Sequence, residues 1–152
     1  MRLHQRLEQG FAALPGVEGV APSGTAYIAD NMSNEDFVPE GAAETGDHGR
    51  PEDVNVVGNT FFQTMGIPII AGRSFGPQDT VRSPKVAIIN EALAKKRFPN
   101  MHAVGNRFRT GGNADAWVLI VGVCGDTRYA TLRDPAPPQF FMPYGSRRKW
   151  VA

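Results

Sequence analysis

Side chains able to do chemistry are few in this chain, and their spacing assembles none of the familiar reactive sets. The three histidines, His4, His48 and His102, share no ligand spacing, and no H-E-x-x-H pair is present. A serine nucleophile would need a G-x-S-x-G elbow, and none occurs. Without a G-x-x-x-x-G-K-[ST] loop to cradle phosphates, ATP binding of the kind an ATPase subunit performs is not expected. The glycines around Cys124 (GVCGD) lack the G-x-G-x-x-G spacing. A single cysteine rules out an internal disulfide and a multi-cysteine metal site, and its apolar surroundings predict a buried thiol that reacts slowly.

Carboxylates are denser. Asp30–Asp53 contains Asp30, Glu35, Asp36, Glu40, Glu44, Asp47, Glu52 and Asp53 against Arg50 alone, an oxygen supply that a hard cation such as calcium could use. No D-x-[DN]-x-[DN]-G loop orders them, so the expectation is a solvated acidic loop region over 30–53, with one short strand near Asp36–Glu40. Asp79 and Asp126 are expected to cap turns or to pair with Arg73 or Arg128. The triplet Lys95-Lys96-Arg97 closes a predicted helix, where cations complement the helix dipole, and this is preferred to a phosphate site. Catalytic, cofactor and metal residues are therefore all expected to be absent.

The elements that hold these side chains read as one domain of 152 residues. A formal net charge of +1 gives no reason to expect nucleic acid. The charge is uneven, however: residues 1–53 hold ten of the 15 acids and three of the 16 bases, so the two parts could attract each other, or a charged partner could read one of them, the first being preferred. Leu3, Leu7, Phe11 and Leu14 form one stripe of an amphipathic helix over Arg2–Leu14, stopped by Pro15-Gly16. Val17–Ile28 suggests one bent strand or two short ones. Within Val54–Phe75, Val54 and Val56 alternate as in a half-buried strand. Asn59 or Thr60 could then cap a short helix through Phe61, Phe62 and Met65. Gly66 supplies a left-handed stop, and Ile67, Ile69 and Ile70 open a second buried segment ending at Ala71-Gly72-Arg73. Gly72 is expected to permit a tight backbone turn and Arg73 to tether a carboxylate or a carbonyl.

Lys85–Ile89 reads as a buried strand, and Asn90 as the N-cap of a helix over Glu91–Phe98. Gly111-Gly112-Asn113 marks a hairpin tip. Trp117–Gly125 is the most apolar strand, and Gln139–Tyr144 the last. The core should include Val86, Ile88, Ile120, Val121 and Val123 in an α+β fold with a mixed or antiparallel sheet and a few short helices.

Six stretches, in order, resemble the extracytoplasmic (periplasmic) core domain of MacB-like and FtsX-like ABC transporter permeases. Pro15-Gly16-Val17 matches the family's first strand. Phe61-Phe62, Met65-Gly66-Ile67-Pro68, Ala71-Gly72-Arg73, Phe75 and Asp79 match its "lGipLlaGR" segment, with Phe61 in place of the usual Tyr and Gly58-Asn59-Thr60 in place of a Pro-Gly turn. Val86–Pro99 matches "VaivNealArryFpg", His102–Arg109 matches "plGkrir", Trp117–Asp126 matches "w.eIVGVvgDvr", and Gln139–Tyr144 matches the last strand. On this resemblance the motif residues Phe62, Gly66, Gly72, Arg73, Asn90, Gly105, Gly122 and Asp126 are structural.

The resemblance implies a single MacB-like core domain that stops short of the family's C-terminal strands, with a stalk-like helix over 1–14 and a core over 54–144. It implies a place on the extracytoplasmic side of the cell (inner) membrane, with flanking membrane helices outside this chain. The longest apolar run here, Val118–Cys124, is far below the about 20 residues a span requires. It also implies a non-catalytic module in ATP-driven export or transmembrane signalling. Its partners would be a second permease protomer and an ATPase domain or subunit, with a periplasmic adaptor or the substrate as further candidates. The alternative is a free-standing periplasmic ligand-binding or sensor domain. The helix stripe is expected to dock on the domain.

Overall fold

The computed structural model describes residues 3–25, 33–42, 49–111, 116–127 and 135–146. Helix α1 spans Leu3–Ala12, and Gly16, at φ +82°, turns the chain behind it. The strand expected over 17–28 does not form in its described part, where Ser23 alone bridges Val57; residues 26–28 lie outside the described residues. Pro22 and Gly24 break a continuous ladder here and make single bonds instead: Gly58 N donates to Pro22 O, and Gly24 N to Val56 O.

Strand β1 (Ser33–Pro39) is longer than the sequence suggested, and β2 (Arg50–Val57) starts four residues before Val54. Much of the supposed acidic loop is thus antiparallel ladder, running from Ser33↔Val54 to Phe37↔Arg50. Residues 43–48, with His48, lie outside the described residues. The one-turn helix α2 (Phe61–Thr64) follows, then β3 (Ile69–Gly72), β4 (Val86–Asn90), α3 (Glu91–Arg97), β5 (Arg107–Arg109), β6 (Val118–Cys124) and β7 (Gln139–Pro143). A 3₁₀ turn, Tyr144–Ser146, follows β7. β5 and β6 pair antiparallel, and residues 112–115 between them lie outside the described residues.

The sheet is mixed, in the order β3-β6-β4-β7-β2-β1-β5, with β2–β7 and β4–β6 parallel and the other pairs antiparallel. Because β5 also pairs with β6, the strands from β6 round to β5 close into a ring, and β3 is left outside it. The period of two in the strands fills the two faces separately. Inside the ring Phe37, Val54, Ala87, Phe108, Ile120 and Phe140 meet, and Leu93 and Phe98 of the α3 region close over them. Phe37 stacks on Phe108 at 4.1 Å between centroids, and Phe108 meets Phe140 edge-on at 5.3 Å. The outer face packs Val57, Ile88, Cys124 and Phe141 under Phe61, Phe62, Ile67 and Phe75. The five expected core residues, Val86, Ile88, Ile120, Val121 and Val123, are all buried. Each buried phenylalanine contributes about 1.5–3 kcal/mol of transfer free energy, so the ring and its outer cap are the main source of stability.

Candidate functional site

Two clusters on the C-terminal half of β6 gather most of the motif residues. In the first, Gly72 pairs with Gly122 as β3 crosses β6, and Arg73 N donates to Val121 O. Gly72 sits at φ +71°, and a Cβ there would lie 2.1 Å from Val121 O; a Cβ on Gly122 would lie 2.4 Å from Arg73 O. Backbone meets backbone at both positions, which only glycine allows. The Arg73 guanidinium then grips Asp79 in a fork, Nη1 at 2.8 Å from Oδ2 and Nη2 at 2.9 Å from Oδ1, while Gly76 N also donates to Oδ2. The arginine's hydrogen bonds hold the Asp79 carboxyl below its ordinary range.

In the second cluster, β4 hands over to α3 at Asn90. Its Oδ1 accepts from Leu93 N and from Gln139 N, both at 3.0 Å, and its Nδ2 donates to Pro137 O at 2.8 Å. One amide thus caps the helix and ties it to β7. Asp126 Oδ1 accepts from Ala92 N at 2.9 Å, so the second acid of this region also serves the helix N-terminus; Arg128, its other expected partner, lies outside the described residues. Burial, with the charges of Asp126 and Glu91 added, pushes the neighbouring Cys124 thiol up to about 12. The side-chain amide of Gln139 is sealed from solvent, and among the described residues neither its oxygen nor its nitrogen has a hydrogen-bond partner. Such a group costs about 1–3 kcal/mol that surrounding packing must offset.

The remaining motif residues stand apart. Phe62 lies on the outer face against Phe75 and Phe141, and Gly66, at φ +67°, ends α2. Gly105, at φ +93°, donates its N–H to Ile120 O ahead of β5. Thr60 holds the N-cap position of α2 without capping it; its hydroxyl donates to Val20 O. Among the described residues, no three His, Cys, Asp or Glu side chains gather so as to hold a metal ion.

Several expectations need correction. The basic triplet does more than complement a dipole: Lys96 Nζ lies 2.8 Å from Glu52 Oε1, and Arg97 Nε donates to the same oxygen at 3.0 Å. Glu52 is 3% exposed at its side chain, so burial required these partners. Arg97 also sits over the Phe37 ring at 5.8 Å. Ile70 is not buried but 53% exposed, because β3 is an outer strand whose register shifts between Ile69 and Ala71.

The α1 stripe departs most. Leu3, Leu7, Phe11 and Leu14 are all exposed, and α1 buries no residue, so the stripe does not dock on the domain. The helix meets the body through His4. Its Nε2 lies 2.8 Å from Tyr144 Oη, with the two rings edge-on at 5.0 Å. The next residue, Gly145, backs onto the Asp79 loop, where a Cβ would lie 3.2 Å from Asp79 O. Contact therefore runs from α1 through Tyr144 and Gly145 to Asp79, Arg73 and β3. No local signal could have revealed His4–Tyr144, which joins residues at opposite ends of the chain.

Comparison with known proteins places this geometry. The profile of the family described as MacB-like periplasmic core domain matches residues 3–151. The macrolide export ATP-binding/permease protein MacB of Burkholderia thailandensis is 30% identical over 93 residues, covering 59% of this chain and 14% of that protein. The periplasmic region of MacB from Actinobacillus actinomycetemcomitans superposes with a TM-score of 0.62 at 15% identity, over 91% of this chain and 54% of that one. The extracellular domain of the noncanonic ABC-type transporter YknZ from Gram-positive bacteria gives 0.62 at 16% identity, over 92% and 62%. The chain thus spans a small part of the export protein and little more than half of the solved regions it matches.

Proposed function

This chain belongs to the MacB-like periplasmic core domain family, and on that premise we propose that it is the extracytoplasmic domain of an ABC transporter permease, working there as a non-catalytic mechanical module in ATP-driven export. ATP is hydrolysed elsewhere, by an ATPase domain or subunit, and a second permease protomer completes the transporter. A periplasmic adaptor or the exported substrate is a further partner of the assembled protein.

The observation that carries this reading is the mounting of α1. Its apolar stripe faces outward, while His4 is bonded to Tyr144 at the end of β7. A helix held to the body at its first turn, with its apolar side uncovered, can belong to a longer helical assembly and still move the domain as a rigid body. The contact path from Tyr144 to the Arg73–Asp79 fork gives that motion a stiff route into the sheet. Among the described residues no helix is long and apolar enough to cross a membrane.

Sidedness tests the placement. Cys124 is buried, so a Met101→Cys substitution adds one exposed thiol to this domain of the intact permease, with the unsubstituted permease as the blank. A membrane-impermeant maleimide should label it in cells whose inner membrane is sealed, and the purified domain should show no ATP binding. Labelling only after the inner membrane is broken would overturn the proposal.

A further inference from the structure

We propose that Asp53 and Gln139 form an acid-closed latch between β2 and β7, in which the neutral Asp53 carboxyl turns onto the buried Gln139 amide, donating to its Oε1 and accepting from its Nε2. The two residues are direct partners in the parallel pairing of these strands. Parallel partners share a face of the sheet, so their side chains stand side by side, about 4.8 Å apart at the backbone. Val57 and Phe141, an even number of residues further along each strand, both lie in the outer cluster and mark that face. Gln139 is 1% exposed, and both polar atoms of its amide lack a partner among the described residues. A carboxylic acid offers a primary amide one donor and one acceptor in the same plane, so a single group can meet both needs. Asp53 is half-buried, and among the described residues no hydrogen bond holds its carboxyl.

Charge keeps the latch open. An ionised carboxylate would have to shed water to enter the sealed space around the Gln139 amide, at a cost that the neutral acid escapes. The neighbouring groups favour the neutral form too. On β2 itself, Glu52 precedes Asp53 and faces the opposite side, where Lys96 and Arg97 hold it. On β1, neutral Asn34 stands opposite Asp53, while Glu35 and Asp36 stand opposite Glu52 and Pro51. β7 brings no charged residue. Ser23 and Thr25, both neutral, are bound to Asn55 two residues along. Burial first, and then the charge of Glu52, raise the Asp53 carboxyl above its ordinary range. The position matters to the ring, because β2–β7 and β5–β6 are the two pairings that join β1, β2 and β5 to the other strands.

A raised carboxyl contributes stability that is complete below its unfolded-state value and is lost as pH rises through the folded one, the opposite of Asp79. The latch is independent of the transport reading. Asparagine at position 53 is a permanently neutral donor and acceptor, so Asp53→Asn should hold the latch closed at every pH. Urea unfolding of the 152-residue chain at pH 7 should show this variant raising the folding constant at least about fivefold, the worth of one net hydrogen bond. The gain should narrow towards acid. In a Gln139→Met background it should shrink at least about threefold, because the amide that the latch needs is gone. In the wild type, the side-chain amide resonances of Gln139 should move with the same midpoint as the Asp53 carboxyl carbon. No gain at pH 7 would overturn the proposal. An equal gain in both backgrounds would do so too, by assigning the effect to relief from Glu52 alone. So would amide resonances that stay fixed while Asp53 titrates, a result that needs no variant.

Discussion

Arg97 Nη2 lies 2.8 Å from Glu52 Oε1, with the two side chains 8% and 3% exposed. Removing one partner from such a pair leaves a buried charge uncompensated, which costs about 3–5 kcal/mol. Glu52→Ala should therefore lower stability by roughly that amount, reduced somewhat because Lys96 is half exposed and can turn to water. The double variant Glu52→Met/Arg97→Met should recover much of the loss. Urea unfolding of the two variants beside the wild type measures both effects, and a double variant no more stable than Glu52→Ala would contradict the pairing.

Glu52 illustrates what local pattern can and cannot convey. The apolar runs of β4 and β6 and the Asn90 cap are local features, expressed within a few residues, and they were legible. Glu52 sat in an acidic stretch that composition marks as solvated, and its partners lie 44 and 45 residues away. The stripe on α1 was legible as an amphipathic helix, but periodicity does not say what the apolar side meets. Likewise, Ile70 looked like core because three isoleucines lie close together, whereas exposure depends on the place of β3 outside the ring.

Asp79 predicts a pH dependence. Its folded carboxyl is held below its ordinary value, first by the Arg73 hydrogen bonds. The stability it contributes is therefore complete above the unfolded-state value and is lost as pH falls through the folded one. Asp79→Asn should cost about 1–2 kcal/mol at neutral pH, since the guanidinium is partly screened by solvent. Unfolding at a series of pH values should show this gap narrow towards acid; a gap constant from pH 7 to acid would exclude the fork as its cause.

Two glycines separate strain from collision. Gly72 and Gly105 both have positive φ, but a Cβ on Gly105 meets open space. Gly105→Ala should cost about 1 kcal/mol, from backbone strain alone. Gly72→Ala must also displace Val121, and should cost at least about 2 kcal/mol more. Equal losses in thermal unfolding would mean that the β3–β6 approach is easily relaxed.

Cys124 should be silent in the native state. Fully buried, with its thiol pushed up to about 12, it has almost no thiolate at neutral pH and no access for a reagent. A chromogenic disulfide should titrate one thiol per chain in denaturant and essentially none within minutes without it. Rapid native labelling would show that the outer face under α2 opens readily.

Export by the intact permease measures the proposed mechanical coupling through α1 most directly. Leu7 and Phe11 are exposed, so replacing both with Asp should leave the domain folded while removing the apolar side that the rest of the transporter would grip. With expression matched, ATP hydrolysis should continue while export falls at least about tenfold, the signature of a coupling step costing more than about 1.4 kcal/mol. Export at the wild-type rate in this variant would contradict it.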